Sequence, residues 1–157
     1  MKLPLVLLLF ALFLPLSAAP ISQTTLAAVY VIADHAGVPR SIARALCIEE
    51  SGDWRTGTLG DAAAVGSVGA DGARCLGLYQ LNPRWMASLV ARYFPDDPLA
   101  FDAFDPLDNA TVALAYLSAL HARFGSWISA LAFYNHGDVE TIPAETLAYC
   151  WRIVSAK

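Results

Sequence analysis

Charged side chains are scarce in this chain of 157 residues, at 15% of the total, and lysine is almost absent. Lysine occurs only at positions 2 and 157, so every other basic residue is an arginine. The formal net charge is −4 and no run of basic residues occurs, which argues against a protein that binds duplex nucleic acid. A hydrophobic content of 57% excludes a disordered chain, and the length allows one domain with a core.

The longest apolar run lies at the N-terminus. Lys2 precedes an apolar stretch at residues 3–16, and the small residues Ser17, Ala18 and Ala19 follow it. This order is typical of a secretory signal peptide, and the run is short for a membrane span, which needs about 20 residues. Cleavage would leave Pro20 first, an unfavourable position for a peptidase, so an uncleaved membrane anchor stays open. We expect residues 1–19 to direct export to the periplasm or the cell exterior, and residues 20–157 to form the domain.

Cysteine is also rare, with three residues at positions 47, 75 and 150. Their spacing matches no zinc-binding pattern, and the three histidines show no ligand spacing either. Export implies an oxidising compartment, where disulfides persist. We therefore expect one structural disulfide and one buried thiol, with the three possible pairings left open. A catalytic cysteine is not indicated, because no cysteine is paired with a histidine.

Capping residues and apolar periodicity predict five or six helices. The predicted starts are Ser22, Pro39, Asn82–Pro83, Asp105–Pro106 or Asp108, Ser126 and Pro143, and the predicted stops are Gly37, Gly52 and Gly125. Seven of the ten glycines lie from Gly52 to Gly77, where no apolar period is visible. A segment of this kind is usually functional or mobile, and its glycines permit the turn of a small hairpin.

Glutamate occurs only four times, and two of the four are adjacent: Glu49 and Glu50. The pair lies at the end of an otherwise apolar predicted helix. The negative end of the helix dipole and burial beside Leu46 and Cys47 both favour the protonated form, which raises a carboxyl pKa. A carboxyl group that keeps its proton near neutral pH can act as a general acid. The alternative is a solvated pair at a frayed helix end.

Two polar residues near the C-terminus stand out by position. Asn135 shares a helical stripe with Ile128 and Leu131, so its amide should point inward and needs hydrogen-bond partners. It is then either a satisfied core or cap residue, or an amide in the floor of a cleft that a polar ligand completes. Tyr149 lies off the apolar stripe of the last predicted helix, where it either contacts another surface or is half-exposed.

Four short segments occur in a recognisable order. They are Ile48–Ser51 (IEES), Gly77–Gln80 (GLYQ), Ala130–Gly137 (ALAFYNHG) and Glu145–Tyr149 (ETLAY). Together they resemble the soluble lytic transglycosylase catalytic domain, a relative of goose-type lysozyme, over roughly residues 25–155. The resemblance implies a mainly α, lysozyme-like helical domain with a small irregular or β-hairpin lobe.

The resemblance also implies roles for individual residues. Glu50 matches the catalytic acid because it directly precedes Ser51, and Glu49 becomes a neighbour that faces solvent. The tyrosine that approaches the acid corresponds to Tyr149. The positions that contact the sugar are Ser51, Gln80, Tyr134, Asn135 and Tyr149.

The implied reaction cleaves peptidoglycan between N-acetylmuramic acid and N-acetylglucosamine and leaves a 1,6-anhydro end, with no metal or cofactor. A hydrolytic muramidase on the same fold is one alternative. A non-catalytic cell-wall-binding module is another, which the intact Glu50–Ser51 pair disfavours. The expected partner is the glycan strand, not a nucleic acid. We expect a monomer, and a role beside a secretion apparatus or another cell-envelope assembly stays open.

Overall fold

The structure is a computed structural model that describes residues 19–69, 71–94 and 96–157. This part of the chain forms six helices and a small two-stranded antiparallel sheet. The helices are α1 (Gln23–Ala36), α2 (Arg40–Ser51), α3 (Pro83–Tyr93), α4 (Pro106–Phe124), α5 (Trp127–His136) and α6 (Ala144–Val154), and the strands are β1 (Val65–Val68) and β2 (Arg74–Leu76). The predicted fold class, mainly α with a small hairpin lobe, is confirmed.

The helices begin and end close to the predicted capping residues. The Ser22 side chain accepts a hydrogen bond from the backbone of α1, and Gly37 closes that helix with a φ of 72°. The Asp105 side chain caps α4 in the same way. Pro39 and Pro143, which we predicted as first helical residues, instead cap α2 and α6, because their ψ values of 133° and 150° are extended.

Helix α2 packs its apolar face into the core. Six of its residues are buried: Ile42, Ala43, Ala45, Leu46, Cys47 and Ile48. It packs against α1 and α6, while α4 packs against α1, α3 and α5, and α5 packs against α6. This arrangement brings the C-terminal end of α2, which carries the two adjacent glutamates, against one face of α6.

The glycine-rich segment forms the hairpin lobe. Strand β1 pairs antiparallel with β2, with Val65 opposite Leu76 and Val68 opposite Arg74. One extra residue in β1 produces an irregular register, as in a β-bulge. The predicted hairpin is thus present, and it joins α2 to α3 along one side of the domain.

The predicted disulfide is wrong, because all three cysteines are free in the structure. Cys47 and Cys150 are buried in the helical core, whereas Cys75 lies in the hairpin lobe and is partly exposed. Burial raises the pKa of both core thiols to about 11, so they remain protonated at neutral pH. Cys47 packs at the base of the lobe, where its sulfur accepts a hydrogen bond from the Gly60 amide at 3.3 Å.

The predicted export segment lies, except for Ala19, outside the described residues, and export stays a prediction. Among the helices that the structure describes, none has both the length and the hydropathy of a membrane span.

Candidate active site

Glu50 lies in the last turn of α2, at the seam where this helix meets α6. Its carboxyl group is desolvated, and this burial is the main reason that its pKa rises to about 7. A hydrogen bond from Tyr149 acts in the opposite direction, and the negative charge of Glu49 adds a smaller upward effect. The sequence argument for a raised pKa therefore fits this geometry, with desolvation as the leading cause.

Tyr149 is the hydrogen-bond partner of Glu50. Its hydroxyl donates to Oε1 of the carboxyl group at 2.5 Å, across 99 residues of sequence. Of the two positions that the sequence left open for Tyr149, the half-exposed one is wrong, because the residue is only 7% exposed. Burial, followed by the nearby Glu50 charge, raises the pKa of this phenol well above its usual value. The hydroxyl therefore stays a hydrogen-bond donor throughout the pH range in which Glu50 titrates.

Glu49 differs sharply from its neighbour. Its side chain is only 6% exposed and forms a two-pronged ion pair with Arg152 of α6, with Nε–Oε1 and Nη2–Oε2 distances of 2.7 and 2.8 Å. The expectation that Glu49 faces solvent is therefore wrong. The sequence could not reveal this partner, because the two residues are 103 positions apart.

A cleft of about 510 Å³ lies next to the seam, between the hairpin lobe and helices α3, α4 and α5. Three of the predicted site residues line it: Gln80, Tyr134 and Asn135. The exposed Trp85 and the partly buried Tyr116 add aromatic surface. Glu50, Ser51 and Tyr149 are not among the lining residues, so the structure divides the predicted site into a cleft and a seam.

Tyr134 and Cys75 connect these two parts. Both line the cleft, and both lie near enough to Glu50 for its negative charge to raise their pKa, in addition to the larger effect of burial. The carboxyl group of Glu50 therefore lies near the part of the cleft wall that Tyr134 and Cys75 form. Cys75 is a residue of this wall that sequence reasoning did not place in the site.

Ser51 holds the glycine-rich lobe against the end of α2. Its hydroxyl donates to the Leu78 carbonyl oxygen at 2.6 Å. A Cβ atom at Gly60 would lie 2.3 Å from the same hydroxyl, so only glycine fits there. This bond ties the end of α2 to the segment before Gln80, and the contact of Ser51 with sugar stays a prediction.

Gln80 has the only positive φ among the described residues other than glycine, at 51°. Such a backbone conformation is uncommon for a residue with a side chain and is typical of functional sites. The amide Nε2 of Gln80 donates to the Gly77 carbonyl oxygen at 2.8 Å, which folds the side chain back over its own turn. The side-chain oxygen lies next to Gly66, where a Cβ atom would come within 2.5 Å of it.

Asn109, on α4, is the main residue that sequence reasoning missed. It is fully buried, and its side chain accepts a hydrogen bond from the Tyr79 amide at 2.8 Å and donates to the carbonyl oxygens of Leu76 and Ala103. These bonds fix the turn that carries Gln80. A signal was available, because Asn109 precedes Tyr116 by seven residues on the apolar stripe of α4.

Asn135 is exposed, so its interpretation as a core residue is wrong. It lies at the C-terminal end of α5, where its Oδ1 accepts a hydrogen bond from Thr146 at 3.0 Å. Its Nδ2 has no partner within residues 19–69, 71–94 and 96–157 and can donate to a ligand in the cleft. The interpretation as a cleft amide fits this geometry.

The comparison with protein families decides the classification. The family model of the transglycosylase SLT domain matches residues 29–149. The chain belongs to the SLT domain family. This family comprises lytic transglycosylases that act on peptidoglycan, and the SLT match extends from α1 into α6. Comparisons with curated proteins and with solved structures found no match.

Proposed function

We propose that this SLT domain is a lytic transglycosylase with a single acid–base residue, Glu50. The substrate bond is the β-1,4 linkage between N-acetylmuramic acid and N-acetylglucosamine, and the product carries a 1,6-anhydro-N-acetylmuramic acid end. The observation that carries the proposal is the partly buried Glu50 side chain, whose desolvated carboxyl group has a pKa of about 7 and accepts a hydrogen bond from the Tyr149 hydroxyl.

The first step is protonation of the glycosidic oxygen as its bond to the muramic acid C1 breaks. Oε1 of Glu50 accepts the hydrogen bond from Tyr149, so the proton for the leaving group is carried on Oε2. The leaving N-acetylglucosamine retains this proton on its O4 atom. The acetamido carbonyl of the substrate stabilises the positive centre at C1.

The second step returns the proton to the enzyme. Glu50, now ionised, removes the proton from the C6 hydroxyl of the same sugar as O6 bonds to C1 and closes the anhydro ring. The same carboxyl group is therefore an acid and then a base. A pKa of about 7 suits both roles near neutral pH, because neither protonation state is strongly disfavoured.

The surroundings of Glu50 favour a mechanism that uses a single carboxyl group. Most glycoside hydrolases use two carboxylates on opposite sides of the bond that is cleaved. None of the described residues that line the cleft is Asp or Glu, and Glu49 is bound to Arg152 through both of its oxygens. The neighbouring carboxylate is thus occupied by Arg152, which leaves Glu50 as the acid of this proposal.

Cleft residues supply groups suited to an amide-bearing sugar. Asn135 offers a free Nδ2 donor and Gln80 a side-chain oxygen, while Tyr116 and Trp85 offer aromatic surface that packs against apolar sugar faces. We assign the glycan to this cleft, with the bond that is cleaved at the end nearest Glu50, beside Tyr134.

The test is digestion of purified sacculi with the wild type and the Glu50→Gln variant, followed by mass analysis of the released muropeptides. We expect the wild type to release products with anhydro ends and Glu50→Gln to release none while keeping its helical circular dichroism. Glu140→Gln is the matched control, because Glu140 is an exposed glutamate outside the site. It should cleave like the wild type.

Each contrary result has a definite meaning. Products heavier by one water indicate a hydrolytic muramidase. Binding of sacculi without release indicates a wall-binding module. Full activity in Glu50→Gln, with loss in Glu49→Gln, assigns the acid to the other glutamate.

We further propose that the domain acts after export, in the periplasm or outside the cell, and as a monomer. The apolar run after Lys2 supports export. N-terminal sequencing of protein from the envelope fraction distinguishes cleavage after Ala19 from an uncleaved anchor, and recovery from the cytosol alone would contradict export. Sedimentation of the purified domain tests the monomer.

A further inference from the structure

Two consecutive glutamates of α2 each have a partner on α6. Tyr149 donates to Glu50, and Arg152 binds Glu49. The two partners are three residues apart, which places them on the same face of α6, one turn from each other. The seam therefore consists of two adjacent side-chain contacts between the same pair of helices.

We propose that Arg152 is a positioning residue for Glu50, which fixes α6 in register with α2 and neutralises the charge beside the acid. The inference rests on the proposed function of Glu50 and deepens it. Arg152 itself acts through Glu49 and does not contact the Glu50 carboxyl group.

The geometry of the ion pair supports the register role. The planar guanidinium binds both carboxylate oxygens, which fixes its direction as well as its distance. The same guanidinium lies 4.7 Å from the ring centroid of Trp54, so it is held between an aromatic face and a carboxylate. This contact therefore holds the cation next to Glu49 and ties α6 to α2 one turn from Tyr149.

The charges around Glu50 support the second role. The titratable groups that face it are Glu49 from α2, Tyr149 from α6, Tyr134 from α5 and Cys75 from β2. The phenols and the thiol have raised pKa values and are neutral near pH 7. Glu49 is thus the neighbour that brings negative charge, and Arg152 is the cation that offsets it.

The sign of the effect follows from repulsion between like charges. Without Arg152, the charge of Glu49 acts on Glu50 at full strength, which favours the protonated acid and weakens the base needed for ring closure. Without Glu49, the free guanidinium favours the carboxylate. When both Arg152 and Glu49 are replaced, the two opposite effects on the pKa of Glu50 cancel.

The test is a carboxyl titration by NMR with ¹³C-labelled glutamate, which gives four signals because the chain has four glutamates. We expect Arg152→Gln to raise the Glu50 midpoint by about one pH unit and Glu49→Gln to lower it. The double variant should return close to the wild-type value. Arg152→Lys, which keeps the charge, should also stay close to it.

Arg55→Gln is the matched control. The Arg55 guanidinium lies 4.9 Å from the centroid of the same Trp54 ring, yet it forms no ion pair with Glu49. Its removal should leave the Glu50 midpoint unchanged. An unchanged midpoint in Arg152→Gln, or equal shifts in Arg152→Gln and Arg55→Gln, would overturn the inference.

A purely structural role gives a different pattern. It predicts that both single variants move Glu50 toward an ordinary carboxyl pKa and that the double variant does not recover. If Arg152→Gln does not fold, the double variant is compared with Glu49→Gln, and the loss of the guanidinium should then raise the midpoint. The titration needs no substrate, so a domain that fails to cleave sacculi contradicts the proposed function without deciding this inference.

Discussion

Glu50 and Tyr149 stand on helices of the core, whereas Gln80 stands at the end of the glycine-rich segment, residues 52–77. Burial between α2 and α6 sets the position and the protonation of the helical pair. The Gln80 turn instead depends on individual hydrogen bonds: Ser51 donates to the Leu78 carbonyl oxygen, and Asn109 accepts from the Tyr79 amide. We call the region around the Gln80 turn the glycine-rich half, and the region around Glu50 and Tyr149 the helical half. Changes in the glycine-rich half should therefore lower the stability of the fold, whereas changes in the helical half should alter the pKa of Glu50.

The largest expected effect is in the glycine-rich half, at Gly77. Its φ is +77°, and a Cβ atom would lie 2.1 Å from the Ala103 carbonyl oxygen and 2.3 Å from the Asn109 amide nitrogen. We expect Gly77→Ala to lower the free energy of unfolding by more than about 3 kcal/mol, because backbone strain and a clash combine. Urea denaturation measures the change.

Gly72→Ala is the control for that comparison. Gly72 has almost the same φ, +78°, but a Cβ atom there would meet nothing within 4 Å. Gly72→Ala should lower the free energy of unfolding by about 1 kcal/mol, from backbone strain alone. Equal losses in the two variants would show that the contact with Asn109 does not constrain the turn.

In the helical half, Glu50→Gln should change how stability depends on pH. A folded pKa of about 7, above the ordinary glutamate value of 4.5, means that the folded state binds the proton more tightly. Wild-type stability then falls as the pH rises from about 4.5 through about 7, by on the order of 3 kcal/mol. Glu50→Gln should match the wild type at pH 4 and exceed it at pH 8. Thermal denaturation at pH 4 and pH 8 checks this expectation. An equal difference in stability between Glu50→Gln and the wild type at both pH values would contradict it.

Asn109→Ala should destabilise the domain by about 2 kcal/mol, because it leaves the buried Tyr79 amide without its acceptor and removes the bonds to the Leu76 and Ala103 carbonyl oxygens. Cleavage of sacculi should fall as the Gln80 turn loosens. Thr111→Ala, which removes an exposed hydroxyl from the same helix, is the control and should change stability little. Similar losses of stability in the two variants would show that the Asn109 hydrogen bonds do not stabilise the turn.

The smallest effect on stability is expected for Tyr149→Phe, at about 1 kcal/mol. The hydrogen bond from Tyr149 lowers the pKa of Glu50, so its loss should raise that pKa further. The alkaline limb of the pH dependence of cleavage should therefore move upward, while Tyr93→Phe should leave it in place. A downward movement would show that Tyr149 does not favour the ionised form.

Much of the helical half could be predicted from the sequence. Ser22, Asp105 and Ser126 cap helices as expected, because capping is a local interaction over a few residues. The raised pKa of Glu50 was foreseeable because an apolar helix places its last turn near the core. The four motifs also identified the family, which the SLT match over residues 29–149 confirms.

Contacts between distant segments could not be predicted in the same way. The bonds of Glu49 with Arg152 and of Asn109 with Tyr79 depend on how elements pack, which no local pattern encodes. The free state of Cys75 has the same origin, since it lies in the hairpin lobe while the other two thiols are enclosed in the helical core. The left-handed conformation of Gln80 follows from a turn held by several elements.

The central claim is that Glu50 keeps its proton near neutral pH because α2 and α6 shield its carboxyl group from water. The most direct measurement is the ¹³C titration of the wild-type carboxyl signal, assigned by its absence in Glu50→Gln. We expect a midpoint near pH 7. A midpoint near 4.5, the value of an unshielded glutamate, would contradict it.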